Sequence, residues 1–126
     1  MRYKALVIDD DSAIRKALKV ILRTMDWYML EAREVPEAVG KVLADPDIKL
    51  VVVDYQMPGM NGIEFVEVLR DMEGSARETK VLMMSGVASE EQKLAALAAG
   101  VDVFLAKPFN SSQFRGALQE LGLQMA

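Results

Sequence analysis

Short apolar runs alternate with segments of helical period along this chain. Residues 3–8 form the first apolar run and predict a strand. Ile14, Ala17, Leu18, Ile21, Leu22 and Met25 recur at spacings of three and four, so residues 12–25 predict a helix with one apolar face. Asp11 or Ser12 can cap it. Residues 28–32 predict a second, weaker strand. Residues 36–44 predict a helix with Pro36 in its first turn, where a missing N–H is tolerated. Ala38 and Val42 face inward there, with Val39 and Leu43 as further candidates, and Glu37 can pair with Lys41 one turn on.

The strongest strand signal is the continuous run LVVV at residues 50–53. Unbroken β-branched runs mark strands buried on both faces, as in a parallel sheet. Asn61 can cap a helix over residues 62–72, and residues 73–79 read as a polar loop. Residues 81–84 predict a fourth strand. Ser89 with Gln92 forms a capping-box pair before a helix ending at Gly100. Residues 101–106 predict the fifth strand. Asn110 with Gln113 repeats the capping pattern before a last helix, whose Phe114, Ala117, Leu118 and Leu121 face inward and which Gly122 ends. Five strand–helix units with short connections imply an α/β fold, a doubly wound five-stranded parallel sheet covered on both faces.

Composition narrows the chemistry. The 126 residues suit one domain, and 52% of them are apolar, enough for one core. Fifteen basic and nineteen acidic residues leave a net charge of −4, without the excess of basic residues that a nucleic-acid surface shows. Cysteine and histidine are both absent. Disulfides, thiol nucleophiles, imidazole bases and serine–histidine triads are thereby excluded. A nucleophile must be Asp, Glu, Ser, Thr, Lys or Tyr, and a metal site must be built from oxygen, which selects hard cations such as magnesium. The N-terminal apolar run is too short for a secretory signal and enters aspartates, and no run approaches the roughly 20 apolar residues of a membrane span. A cytoplasmic protein is the expectation.

In doubly wound sheets, ligands bind beyond the carboxyl ends of the strands. Those ends carry Asp9, Asp10 and Asp11 after the first strand, Asp54 after the third, Ser85-Gly86 after the fourth and Lys107-Pro108 after the fifth. With the order 2-1-3-4-5 these groups share one edge. Asp11 is also accounted for as a simple helix cap, Asp54 as a turn residue, and Ser85-Gly86 as an ordinary strand exit. Their specificity lies in falling together at successive strand ends. Clustered carboxylates repel unless a cation joins them. A hard cation beside a carboxylate, with a hydroxyl and an ammonium opposite, suits a phosphoryl group, and the carboxylate between them is a plausible nucleophile.

The stretches VIDDDSAIR, VVVDYQMPGMNGIEF, VLMMSG and FLAKPF resemble a response-regulator receiver domain, the phosphoacceptor module of two-component signalling. The resemblance spans essentially the whole chain, read as one domain over residues 1–126, and implies the flavodoxin-like (CheY-like) three-layer sandwich. It implies that Asp54 accepts the phosphoryl group. Asp9 and Asp10 would hold Mg2+ together with Asp54, Asp10 directly and Asp9 partly through water, and the backbone carbonyl of Gln56 would complete the protein ligands. Ser85 takes the place of the switch hydroxyl, Phe104 that of the switch aromatic, and Lys107 pairs with the phosphoryl oxygen or with Asp54. The Lys107-Pro108 bond should be cis. Phe104 departs from the frequent tyrosine, and Gln56 and Val87 stand at positions that tune phosphoryl lifetime.

The resemblance also implies partners. The donor would be a histidine kinase, a phosphotransfer protein or a small acyl phosphate, because a chain without histidine holds no phosphohistidine of its own. The downstream target would be a protein docking on the face of the fourth helix, fifth strand and fifth helix, where Ala95 to Ala99 suit either close approach by a helix or packing on the sheet. Neither nucleic acid nor membrane is expected as a direct partner. Such a module catalyses its own phosphorylation and dephosphorylation and turns over no external substrate. The sequence ends shortly after the fifth helix, so a stand-alone receiver or one cut from a longer regulator is expected. Three rivals remain: a phosphatase of the haloacid-dehalogenase type with Asp9 as nucleophile, a receiver-shaped module that no longer uses phosphate, and a flavin-binding relative of the fold. The first is disfavoured by Ala13 where Thr or Val should stand, and the third by aspartates where a phosphate cradle should be.

Overall fold

The computed structural model describes residues 3–57, 59 and 61–123. Pro58 and Met60 of the MPGMNG turn lie outside the described residues, as do residues 1–2 and 124–126. Five strands, β1 (Lys4–Ile8), β2 (Tyr28–Ala32), β3 (Ile48–Asp54), β4 (Lys80–Ser85) and β5 (Val103–Ala106), form one parallel sheet in the order β2-β1-β3-β4-β5. Five α-helices connect and cover them: α1 (Ser12–Thr24), α2 (Val35–Ala44), α3 (Gly62–Asp71), α4 (Glu90–Ala99) and α5 (Ser111–Glu120). This is the three-layer arrangement that the alternating pattern predicts.

Alternation along each buried strand builds two cores. Ala5, Val7, Leu50, Val52, Leu82 and Met84 point to one face, where α1 and α5 bring Leu18, Leu22, Phe114 and Leu118. Leu6, Ile8, Val51, Val53, Val81 and Met83 point to the other, where α2, α3 and α4 bring Ala38, Val42, Phe65, Leu69 and Ala96. Each large side chain so buried contributes about 2 kcal/mol by removal from water. Because both faces are covered, β3 shows no polar alternation after Lys49, and the LVVV run follows from that burial.

Several local expectations shift. Ala17 is exposed rather than inward, and so is Leu43, at 69%. In α2 the sheet takes only the narrow stripe Val35, Ala38 and Val42, which turns Leu43 to the opposite side. Glu37 does not reach along α2 to Lys41; its Oε1 accepts the Arg33 N–H at 2.8 Å, one of the donors ahead of the helix. The expected polar loop at 73–79 contains a 3-10 turn, Gly74–Glu78. The fifth strand starts at Val103 rather than 101, because the Val101 N–H still donates to Ala96 in the end of α4. Gly100 makes that stop at φ 110°, a left-handed conformation that suits glycine.

Candidate functional site

Strand register brings the predicted residues to one edge. Asp54 is opposite Met84 in the β3–β4 ladder, and Ser85 is opposite Ala106 in the β4–β5 ladder. Backbone bonds continue the pairing beyond the strands: Asp9 N–H donates to Ala32, Tyr55 N–H to Met84 and Lys107 N–H to Ser85, at 3.1, 2.8 and 2.8 Å. The side chains of the site therefore stand on a rigid frame. The peptide bond between Lys107 and Pro108 is cis, as expected.

The three aspartates after β1 have three different fates. Asp9 is fully buried; its Oδ1 accepts the Asp11 N–H at 2.9 Å and its Oδ2 accepts from Lys107 Nζ at 3.1 Å. Asp11 caps α1, accepting the Ala13 N–H at 2.9 Å, as a simple helix cap does. Asp10 is exposed. Asp9 thus faces an ammonium, Asp11 a helix N-terminus and Asp10 solvent.

Lys107 Nζ also lies 3.2 Å from Asp54 Oδ1. Burial pushes the Asp54 carboxyl above its ordinary range, and the neighbouring Asp9 charge pushes it further; Lys107 and the Gln56 N–H pull the other way. Burial acts to lower the Lys107 pKa, but the facing carboxylates of Asp9 and Asp54 outweigh it and hold the ammonium above its ordinary value. A mostly buried carboxylate beside one ammonium leaves negative charge unbalanced.

Carboxylate oxygens of Asp9, Asp10 and Asp54 lie within 4.8 Å of one another. This all-oxygen set fits a hard divalent cation that keeps part of its water shell. The Gln56 N–H faces the Asp54 carboxylate, and Gln56 itself is exposed at the rim. Ser85 is 2% exposed; its hydroxyl donates to Gln92 Oε1 at 2.7 Å and its Oγ accepts the Val87 N–H at 3.2 Å. Phe104 is half-buried and packs against the α2–α4 core. Val87 is 62% exposed beyond Ser85.

Two residues at this edge have roles that their sequence positions do not signal. Arg15 Nη1 donates to the Asp9 carbonyl at 2.7 Å, and its Nε donates to Glu31 Oε1 at 3.0 Å, tying the ends of β1 and β2. Gln92 reads in sequence as a capping residue, which hides its reach to Ser85.

A mostly buried strand-end carboxylate with an acidic pair and an ammonium beside it, and a serine hydroxyl at the next strand end, suits a hard cation and a phosphoryl group. Response regulator receiver domain is the family that matches, over residues 5–119, and the chain belongs to it. The chain is 32% identical over 117 residues to the chemotaxis protein CheY1 of Helicobacter pylori, covering 92% of this chain and 94% of that one. It is 30% identical to a CheY homolog of Campylobacter jejuni, covering 94% and 91%. The phosphate regulon transcriptional regulatory protein PhoB of Klebsiella pneumoniae is 28% identical over 90% of this chain but only 48% of its own length. Among solved structures, the chemotaxis response regulator CheY4 of Vibrio cholerae superposes with a TM-score of 0.88 at 30% identity, covering 96% and 99%. The chain is therefore a CheY-like response-regulator receiver of flavodoxin-like fold. Receivers are phosphoacceptor switches that bind Mg2+ at an acidic cluster and interact with histidine kinases or phosphotransfer proteins and with downstream targets.

Proposed function

We propose that Asp54 accepts a phosphoryl group from a histidine kinase, a phosphotransfer protein or a small acyl phosphate. We read residues 1–126 as one receiver unit acting in the cytoplasm, and no described helix is long and apolar enough to cross a membrane. The observation that carries the reading is Lys107 Nζ held between Asp9 and Asp54, 3.1 and 3.2 Å from their oxygens. The transferred group would bond through an Asp54 carboxylate oxygen while the donor nitrogen or oxygen leaves with its electron pair.

Asp10 and Asp54 would hold Mg2+ directly, with the Gln56 carbonyl. Asp9, whose oxygens accept the Asp11 N–H and the Lys107 ammonium, would hold it partly through water. Bound there, the cation would neutralise charge on the phosphoryl oxygens. Lys107 would supply the second positive charge and orient the group. Ser85 would donate its hydroxyl to a phosphoryl oxygen, and Phe104 would follow it inward. The phosphoryl group would thereby shift the population between two packings of the α4–β5–α5 face, altering affinity for a protein target. The domain would catalyse its own phosphorylation and dephosphorylation without turning over an external substrate.

Intact mass after brief incubation with acetyl phosphate and magnesium tests the reading. One added phosphoryl mass, lost with EDTA and in Asp54→Asn, is expected. No adduct, together with no beryllofluoride binding, would overturn it.

A further inference from the structure

Three helices of this fold carry a capping-box pair, and only two of the boxes close. Glu64 returns its side chain to the Asn61 N–H, and Gln113 returns its own to the Asn110 N–H. In α4 the Ser89 side chain accepts the Gln92 N–H at 3.1 Å, but the Ser89 N–H donates to the Val87 carbonyl. Gln92 Oε1 instead accepts the Ser85 hydroxyl at 2.7 Å.

That bond occupies the group the site needs. A serine hydroxyl has one proton to donate. Ser85 gives it to Gln92, on the side of α4, and its lone pair takes the Val87 N–H at 3.2 Å. Ser85 itself is only 2% exposed. Donating to an oxygen carried on Asp54 requires the proton to leave Gln92.

The helix at the other end is thinly anchored. Ala96 is the only described residue of α4 that is fully buried, while Leu94 and Leu97 are 60% and 46% exposed. The Ser85–Gln92 bond joins the end of β4 to the first turn of α4, beside the Ser89 cap.

We propose that Gln92 is a positioning residue: its side-chain carbonyl holds the Ser85 hydroxyl on the α4 side, and breaking that bond couples the phosphoryl site to the first turn of α4. The inference rests on Ser85 as the switch hydroxyl. It assigns the resting state of that switch to a residue outside the acceptor pocket.

Two substitutions separate this role from helix capping. Gln92→Met keeps the length and removes the acceptor; Gln92→Glu keeps an acceptor oxygen. Both leave the Gln92 main-chain N–H to Ser89 in place. Two readouts are taken on each: the Ser85 side-chain rotamer from three-bond NMR couplings without any phosphoryl donor, and the affinity for beryllofluoride with magnesium. Gln92→Met should release Ser85 to average over rotamers and raise beryllofluoride affinity about fivefold, the worth of one exchanged hydrogen bond. Gln92→Glu should keep the wild-type rotamer and not gain affinity. Gln92→Leu serves if the methionine variant does not fold. An unchanged Ser85 rotamer in Gln92→Met overturns the inference, as does an unchanged affinity where wild type binds. Failure of wild type both to bind beryllofluoride and to take up a phosphoryl group from acetyl phosphate overturns the phosphoacceptor reading instead, and the rotamer measurement still decides whether Gln92 holds the hydroxyl.

Discussion

Lys107 Nζ sits between two carboxylates from different strands, 3.1 Å from Asp9 Oδ2 and 3.2 Å from Asp54 Oδ1. The ammonium ties the ends of β1, β3 and β5 together where the phosphoryl group would sit. It also explains how Asp9 is tolerated at the end of the buried β1 strand.

Removing that ammonium leaves Asp9 buried with one donor fewer. Lys107→Ala should lower unfolding free energy at pH 7 by about 3 kcal/mol, as for other broken buried pairs. Urea unfolding measures it. A change within experimental error would mean that Asp9 is satisfied without Lys107.

The raised Asp54 pKa sets a sign for pH dependence. Its ordinary value in the unfolded chain is 3.8, and burial, then Asp9, raise it in the folded state. Between the two values the folded protein binds more protons than the unfolded one, so stability falls as pH rises through that window. Asp54→Asn carries no such penalty. It should melt higher than wild type at pH 7, and the gain should shrink as pH falls through the window and vanish below the ordinary value. A gain independent of pH would contradict the assignment. Magnesium should stabilise wild type more than the variant at pH 7, because it binds only the folded acidic cluster.

Gly62 opens α3 against the end of β3. Its N–H donates to Tyr55 at 2.9 Å, and a Cβ there would press into the main-chain oxygen of Asp54 and lie 3.1 Å from Met83 Cε. Backbone cannot yield as a flexible side chain does. Gly62→Ala should therefore cost about 2 kcal/mol in thermal or urea unfolding, despite the better helix propensity of alanine. It should also slow phosphoryl uptake, since Asp54 would have to move. An unaffected variant would show that α3 can shift without disturbing the pocket.

The fold was legible because its strongest signals are long-range in origin but local in sequence. The run LVVV is apolar throughout because two helical layers bury β3, and four of the five α-helices, α1, α3, α4 and α5, open on a side-chain cap. Asp9, Asp10, Asp54, Ser85 and Lys107 were legible because a parallel sheet delivers every strand end to one edge. What was not legible depends on where a side chain points. Ala17 and Leu43 fit the apolar period yet face out, since the stripe each helix presents is narrower than its apolar surface. Gln92 satisfies a capping pattern in sequence but bonds Ser85 in space, a choice only tertiary proximity decides. Arg15 reaches the Asp9 carbonyl across six positions, with no motif to mark it.

The most direct test of the central claim is the position of the phosphoryl group. After acetyl phosphate and magnesium, borohydride reduces an aspartyl phosphate to homoserine with release of phosphate, and peptide mass mapping locates the change. Homoserine at residue 54 alone, abolished by EDTA, is the expected result. Homoserine at residue 9 or 10 would contradict it, and at residue 9 it would place the nucleophile just after β1, as in a phosphatase of the haloacid-dehalogenase type.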